Sequence, residues 1–230
     1  MKKLIIALDL SDKKKIYKLV EKIGEKVDFY KIGIIPYLLF GNEIIKWLKK
    51  EKKKIFFDLK FFDIPNTVKN AVKIISEHEV DMFTVHLMAG EKTIKEIVEI
   101  KKELKSNIKI IGVTILTSLA EKDLKFLGIN MEIKEIVKKL VRYAYEWGTD
   151  GVVCSGQELK DLRKAFKPPF LMIVPGVRME KSKDDQKRII TPEQAIKDGA
   201  DFIVVGRPIY ESKNPIKVVE KILKEIKDER

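Results

Sequence analysis

Charge falls where a strand should be apolar. In the run Ile55-Phe56-Phe57-Asp58-Leu59-Lys60-Phe61-Phe62-Asp63-Ile64-Pro65-Asn66-Thr67-Val68, an acid, a base and a second acid occur within six residues. Burying charge costs free energy unless the charge is paired or used. Asp58 and Lys60 are two apart, so on a strand they point to the same side. Asp9, after Ile5-Ile6-Ala7-Leu8, and Lys31, in Tyr30-Lys31-Ile32-Gly33, end other apolar runs with charge. Opposite charges in alternation stabilise one another's ionised forms, so a lysine can stay protonated in a dry pocket. A fixed ammonium of this kind can stabilise developing negative charge and can donate a proton. A buried salt-bridge network without chemistry is the plainer reading of the same four residues. Two carboxylates could also hold Mg²⁺, but the interposed lysines compete for their oxygens, and no metal is expected.

A second group suits an anion. Val174-Pro175-Gly176-Val177-Arg178 and Ile203-Val204-Val205-Gly206-Arg207-Pro208-Ile209-Tyr210 each end a strand-like run with glycine and arginine. Only six of the 47 basic residues are arginine, and arginine suits bidentate phosphate contacts. Between the two runs, Gly176 to Thr191 forms a long polar connection, and connections of that length are often lids. Gln186 and Arg188 on it could reach an anion as it closes. A surface arginine beside a turn glycine, and a disordered connector, are the bland alternatives.

These groups need a scaffold that gathers strand ends. Strands are predicted at Leu4–Leu10, Phe29–Gly33, Lys54–Leu59, Met82–His86, Ile108–Leu116, Gly151–Ser155, Phe170–Pro175 and Phe202–Gly206. Helical patterns fall between them, among others at Asp12–Gly24, Tyr37–Lys50, Val68–Glu77, Thr93–Lys105, Ile133–Trp147 and Pro192–Asp198, with Pro215–Ile226 last. Eight strand–helix units without a linker or a shift in composition predict an α/β fold, a (β/α)8 TIM barrel forming a single domain over 1–230. No Gly-x-Gly-x-x-Gly follows the first strand, which removes the usual dinucleotide reading. In such barrels the chemistry sits at the C-terminal strand ends. Here those ends carry Asp9, Lys31, Asp58 with Lys60, His86, Thr117, Arg178 and Gly206-Arg207.

Composition narrows the partners. The formal net charge of +12 could suggest nucleic acid or a membrane surface, but the lysines interleave with glutamates along helical patterns and read as solvated faces. No apolar run reaches the ~18 residues that span a bilayer. The basic start turns acidic at Asp9 and reads as a first strand, not a leader peptide. One cysteine, Cys154, leaves no internal disulfide and no cysteine-built zinc site; it reads as a core residue. A cytoplasmic protein is expected. His86, lacking an acid partner, reads as packing or hydrogen bonding, His78 as exposed, and Trp47 and Trp147 as helix–barrel packing. Abundant Lys, Glu and Ile suit a thermophile or an AT-rich genome equally.

Asp58-Leu59-Lys60-Phe61-Phe62-Asp63-Ile64-Pro65-Asn66-Thr67 resembles the signature of the orotidine 5′-monophosphate decarboxylase family. Further stretches are similar along nearly the whole chain: "IIALDL", "YKIG", "GVTILTS", "PGVR" with "DQKR", and "IVVGRPI". The Asp-x-Lys-x-x-Asp core is shared with sugar-phosphate decarboxylases of the same superfamily; the Ile-Pro-Asn-Thr that follows points to the orotidylate enzymes. The resemblance implies a cofactor-independent conversion of orotidine 5′-monophosphate to UMP and CO₂. It implies that Asp9 binds the ribose hydroxyls, that Lys31 links ribose to the charge network, and that Asp58 lies beside the substrate carboxylate. Lys60 would protonate C6, and Thr117 would contact the pyrimidine. Arg178, Gln186, Gly206 and Arg207 would surround the phosphate. Asp63 and Thr67 would reach the neighbouring subunit's site, giving a homodimer with shared active sites, without nucleic-acid or membrane partners. The alternatives are a Mg²⁺-dependent sugar-phosphate decarboxylase or aldolase, and a noncatalytic phosphate-binding barrel.

Overall fold

A computed structural model describes residues 3–126, 128–178 and 190–227. Eight parallel strands close on one another in sequence order. They are β1 (Leu4–Ala7), β2 (Phe29–Ile32), β3 (Lys54–Phe61), β4 (Met82–His86), β5 (Lys109–Val113), β6 (Gly151–Val153), β7 (Leu171–Val174) and β8 (Phe202–Val205). The expected (β/α)8 barrel is the observed one. Most strands stop one to three residues short of their predicted C-terminal ends, because the ladder stops where the chain turns into the mouth. Strand β3 instead runs two residues further than predicted.

The helices form because apolar residues recur at helical spacing. In α1 (Lys13–Ile23) the buried positions are Ile16, Leu19, Val20 and Ile23, spaced by three and four so that they share one face. Burying each such side chain contributes roughly 1.5–3 kcal/mol. Asp12 caps this helix by accepting the Lys14 and Lys15 N–H groups at 2.9 and 3.2 Å. The cap stabilises the helix by about 1 kcal/mol. The stretch predicted as one helix, Tyr37–Lys50, is two: α2 (Ile34–Phe40) and α3 (Asn42–Lys50). Gly41 separates them at φ 55°, a conformation that glycine reaches without a Cβ clash. The remaining helices are α4 (Pro65–Glu77), α5 (Glu91–Glu103), α6 (Glu121–Lys125), α7 (Ile133–Trp147), α8 (Gly156–Ala165), α9 (Pro192–Lys197), α10 (Arg207–Tyr210) and α11 (Pro215–Glu225). Helix α8, unassigned from sequence, is capped by Ser155, whose Oγ accepts the Gln157 N–H.

Two apolar layers result. One lies between barrel and helices and includes Ile6, Tyr30, Phe57, Ile16 and Val68. The other draws only on strands: Ile5, Ala7, Phe29, Phe56, Met82, Ile111, Ile173, Phe202 and Val204. It fills the barrel interior, so the residues two further along each strand face inward above it. At the opposite end three carboxylates close the barrel. Asp81, Asp150 and Asp201 accept backbone N–H groups of the preceding strand, from Ile55, Ile110 and Met172, at 2.9, 2.8 and 2.7 Å. Each also pairs with a cation from the outer layer or strand edge, Lys49, Lys101 with Lys109, and Arg163 respectively.

Candidate active site

Strand alternation turns the apolar interior into a charged layer at the mouth. Two residues beyond Ala7, Phe29, Phe56 and Met82 stand Asp9, Lys31, Asp58 and Thr84. The Lys31 ammonium donates to Asp9 Oδ1 and Oδ2 at 2.9 and 3.1 Å, and lies 3.4 Å from Asp58 Oδ2. Lys60 Nζ donates to Asp58 Oδ1 at 2.9 Å. The chain of charge therefore runs Asp9, Lys31, Asp58, Lys60, alternating throughout. Gly33 makes room for it: a Cβ there would stand 2.6 Å from Asp9 Oδ1 and 3.0 Å from Lys31 Nζ. Burial works against the Lys31 charge, but the Asp58 and Asp9 carboxylates outweigh it and hold its pKa above the ordinary lysine value. Burial likewise opposes the Asp58 charge, and Lys31 and then Lys60 overcome it, holding the carboxyl below the ordinary range. Both groups are thus charged at neutral pH although both are buried.

Asp58 and Lys60 meet as the two-residue spacing predicts, but regular alternation does not bring them together. Phe57 pairs with Phe83 and Phe61 with Val85, with a register shift between, and Lys60 adopts φ 52°. A non-glycine residue in that region costs roughly 1–3 kcal/mol. The Thr84 hydroxyl accepts the Lys60 backbone N–H at 2.8 Å and donates to Asp58 Oδ1 at 3.0 Å.

Asp9, Lys31, Asp58 and Lys60 form one side of a cavity of about 350 Å³ at the barrel mouth. Arg178, Gly206, Arg207 and Tyr210 line it as well, with Thr117 and Ser118 beyond strand β5 and an apolar floor that includes Val153 and Ile173. Arg178 is buried; its Nη1 donates to the Val177 carbonyl at 3.0 Å, and its N–H donates to the Ile190 carbonyl at 3.0 Å. Gly176, at φ 72°, makes the turn that carries the chain from β7 to this arginine. Arg207 opens α10 directly after Gly206. The cavity thus joins a charge-alternating wall to two guanidinium groups, and suits a small polar molecule bearing an anionic group. Gln186 and Arg188 lie outside the described residues.

Not every predicted residue joins this cavity. Asp63 and Thr67 line a second cleft on the outside with Ile34, Tyr37, Leu38 and Phe62, and Lys60 borders both. The Asp63 carboxylate accepts its neighbour's N–H, from Ile64, at 2.7 Å. His86 packs: its ring stacks on Phe62 at 5.3 Å, and Nδ1 accepts the Met88 N–H at 3.3 Å. Burial, then the Lys60 charge, lowers its pKa. His78, expected to be exposed, is half-buried at the C-terminus of α4. Cys154 is a core residue as expected, and burial pushes its thiol up to about 12. Trp47 stacks on Tyr17 at 4.1 Å, which packs helix on helix. Among the described residues no group of three or more His, Cys, Asp and Glu converges as metal ligands, and no helix is long and apolar enough to cross a membrane.

Sequence reasoning missed Thr84 and Tyr210. A lone threonine inside Met82-Phe83-Thr84-Val85-His86 carries a hydroxyl that must find a partner once buried, and that was the available signal. Tyr210 stands one helical turn after Gly206, close enough that a Cβ on that glycine would lie 3.3 Å from its ring.

Fold and cavity together define a (β/α)8-barrel protein with a charged, anion-receptive pocket at the C-terminal ends of its strands. The chain matches the model of the orotidine 5′-phosphate decarboxylase / HUMPS family over residues 2–222, and it belongs to that family. It is 46% identical over 222 residues to the orotidine 5′-phosphate decarboxylase of Aquifex aeolicus, covering 95% of this chain and 90% of that one. Identity to the Lawsonia intracellularis orotidine 5′-phosphate decarboxylase is 41% over 234 residues, covering 98% and 100%. A crystal structure of orotidine 5′-phosphate decarboxylase from Lactobacillus acidophilus superposes with a TM-score of 0.85 at 34% identity, covering 98% of this chain and 99% of that chain.

Proposed function

We propose that this protein is a carboxy-lyase that converts orotidine 5′-monophosphate to UMP and CO₂ in the cytoplasm, as a step of pyrimidine biosynthesis. The observation that carries the reading is the uninterrupted sequence of Asp9, Lys31, Asp58 and Lys60 along one wall of the cavity. Breaking the C6–carboxylate bond leaves an electron pair on C6. Without a cofactor to take up that pair, fixed positive charge must stabilise it. The Lys60 ammonium serves as both the charge and the proton source: it transfers a proton to C6, and water re-protonates the amine. Asp58 stands beside the departing carboxylate and holds both lysines charged. Asp9 and Lys31 take the ribose hydroxyls, Thr117 the pyrimidine edge, and Arg178, Gln186, Gly206 and Arg207 the phosphate. Phosphate contacts remote from C6 close the site over the substrate and thereby lower the barrier, beyond holding the substrate in place.

The active site is shared by two copies of the chain. Ile34, Leu38 and Phe62, all more than half exposed, surround Asp63 and Thr67 in the outer cleft, with exposed Ile64 beside them. Apolar side chains left in water around a polar pair suit burial against a second copy, with Asp63 and Thr67 completing the partner's pocket.

The test is to add orotidine 5′-monophosphate to the protein with EDTA present and follow loss of the orotate absorbance. Metal-independent turnover is expected. Abolition by EDTA with rescue by Mg²⁺ would favour a sugar-phosphate lyase, and no turnover under either condition would refute the reading.

A further inference from the structure

We infer that Thr84 is the positioning residue that aims Lys60, an inference that rests on the proton-donor role proposed for Lys60 above. Between its pairings with Phe83 and Val85, strand β3 uses four residue steps, Phe57 to Phe61, where β4 uses two. The two extra residues bulge, and a bulge takes backbone groups out of the ladder. The Lys60 N–H is one of them. Its partner is a side chain, the Thr84 hydroxyl at 2.8 Å. That hydroxyl donates a hydrogen bond to Asp58 Oδ1 at 3.0 Å, and the same carboxylate oxygen accepts from the Lys60 ammonium at 2.9 Å. A closed ring results: Lys60 N–H to Thr84 Oγ1, Thr84 O–H to Asp58 Oδ1, Lys60 Nζ to Asp58 Oδ1. The Thr84 hydroxyl holds the backbone of Lys60 directly and fixes the carboxylate oxygen that holds its ammonium.

The ring explains how a left-handed, non-glycine residue persists where it is needed. A hydroxyl offers one donor and two acceptor lone pairs, so a single atom satisfies a backbone donor and a carboxylate together. Valine has the same shape and can do neither. Thr84 is fully buried, which leaves little access for a water to take over both bonds. It is also absent from the residues that line the cavity, whereas Asp58 and Lys60 line it. Thr84 therefore acts on the reaction through its neighbours.

Three variants separate positioning from stability. Thr84→Val should fold, and its crystal structure should show Lys60 leaving the left-handed region with its ammonium drawn away from Asp58 Oδ1. Its kcat on orotidine 5′-monophosphate should fall about 30-fold, roughly 2 kcal/mol of barrier, with KM within about threefold because the phosphate contacts are untouched. Thr84→Ser keeps the hydroxyl and should recover kcat to within about threefold of the parent. Should the valine variant not fold, Thr84→Cys, similar in size with only a weak donor, takes its place. A variant lacking the hydroxyl that keeps Lys60 in place and kcat within about twofold would overturn the inference. So would Thr84→Ser performing no better than Thr84→Val. Absence of turnover by the parent would instead refute the decarboxylase reading, while the crystal structures would still decide whether Thr84 holds Lys60.

Discussion

Lys31→Met tests whether the charge alternation is the organising feature of the site. Methionine is unbranched and similar in length, so it removes the charge without opening a large hole. At 3.4 Å and an effective dielectric of about 20, the Lys31–Asp58 attraction is about 5 kcal/mol gross. Removing the lysine also removes its own desolvation cost, so the net effect is smaller. Breaking a buried pair by deleting one partner destabilises by about 3–5 kcal/mol. Asp58 keeps Lys60 and Thr84, and Asp9 is partly exposed and can turn to water, which favours the lower end. About 3 kcal/mol in a chain of this size lowers Tm by roughly 6–12 °C. The pH dependence has a definite sign. In the parent, Asp58 titrates below its ordinary value of 3.8, so its stabilising contribution is complete above about that pH and is lost as pH falls through the lowered value. Without Lys31 the carboxyl shifts upward, and once it is protonated it no longer needs a cation. The stability gap between variant and parent should therefore be largest at neutral pH and narrow as pH falls toward and below 4. Lys31 adds the opposite limit: its raised value keeps the parent's pairing intact until pH exceeds about 10.5. Thermal and urea unfolding at matched protein concentration, from pH 7 downward, measures both quantities. A Tm within about 1 °C of the parent at pH 7, or a gap that stays constant with pH, would refute the reasoning.

Lys60→Ala should keep its fold and lose activity by several orders of magnitude; residual activity within about tenfold of the parent, roughly 1.4 kcal/mol of barrier, would remove Lys60 from the proton-donor role. Arg207→Ala should raise KM and sharply lower kcat/KM for orotidine 5′-monophosphate, while parent and variant should differ little on orotidine, which lacks the phosphate. A variant that discriminated against the nucleoside as strongly as the parent does would show that Arg207 is not the phosphate ligand. Lys60→Ala and Asp63→Ala, each inactive alone, should regain activity when mixed and allowed to exchange subunits. Half of the dimers are then mixed, each with one intact pocket in two, so about a quarter of the parent activity is expected. Proven exchange without recovery would show that Asp63 works within its own chain.

Local pattern in the sequence was enough for the barrel. Short apolar runs alternating with helical periodicity specify strand–helix units, and eight of them without a break specify closure, because each unit's apolar face has only its neighbours to cover it. The charged strand ends were legible for the same reason. Asp9, Lys31 and Asp58 stand two residues beyond interior apolar positions, and alternation alone puts them at the mouth. Gly41 was visible too, but its effect was not: a glycine inside a helical pattern can be tolerated or can break it, and here the chain takes the second course at φ 55°. The aim of Lys60 was beyond the sequence altogether. It depends on a two-residue register shift between β3 and β4 and on a threonine 24 residues away that accepts the displaced N–H. Likewise, Asp63 sits five residues after Asp58 yet faces a different cleft. Periodicity is a property of neighbours along the chain, so it can be read in one dimension. Register and bulges are settled by hydrogen bonds between strands far apart in sequence, and those exist only once the barrel has closed.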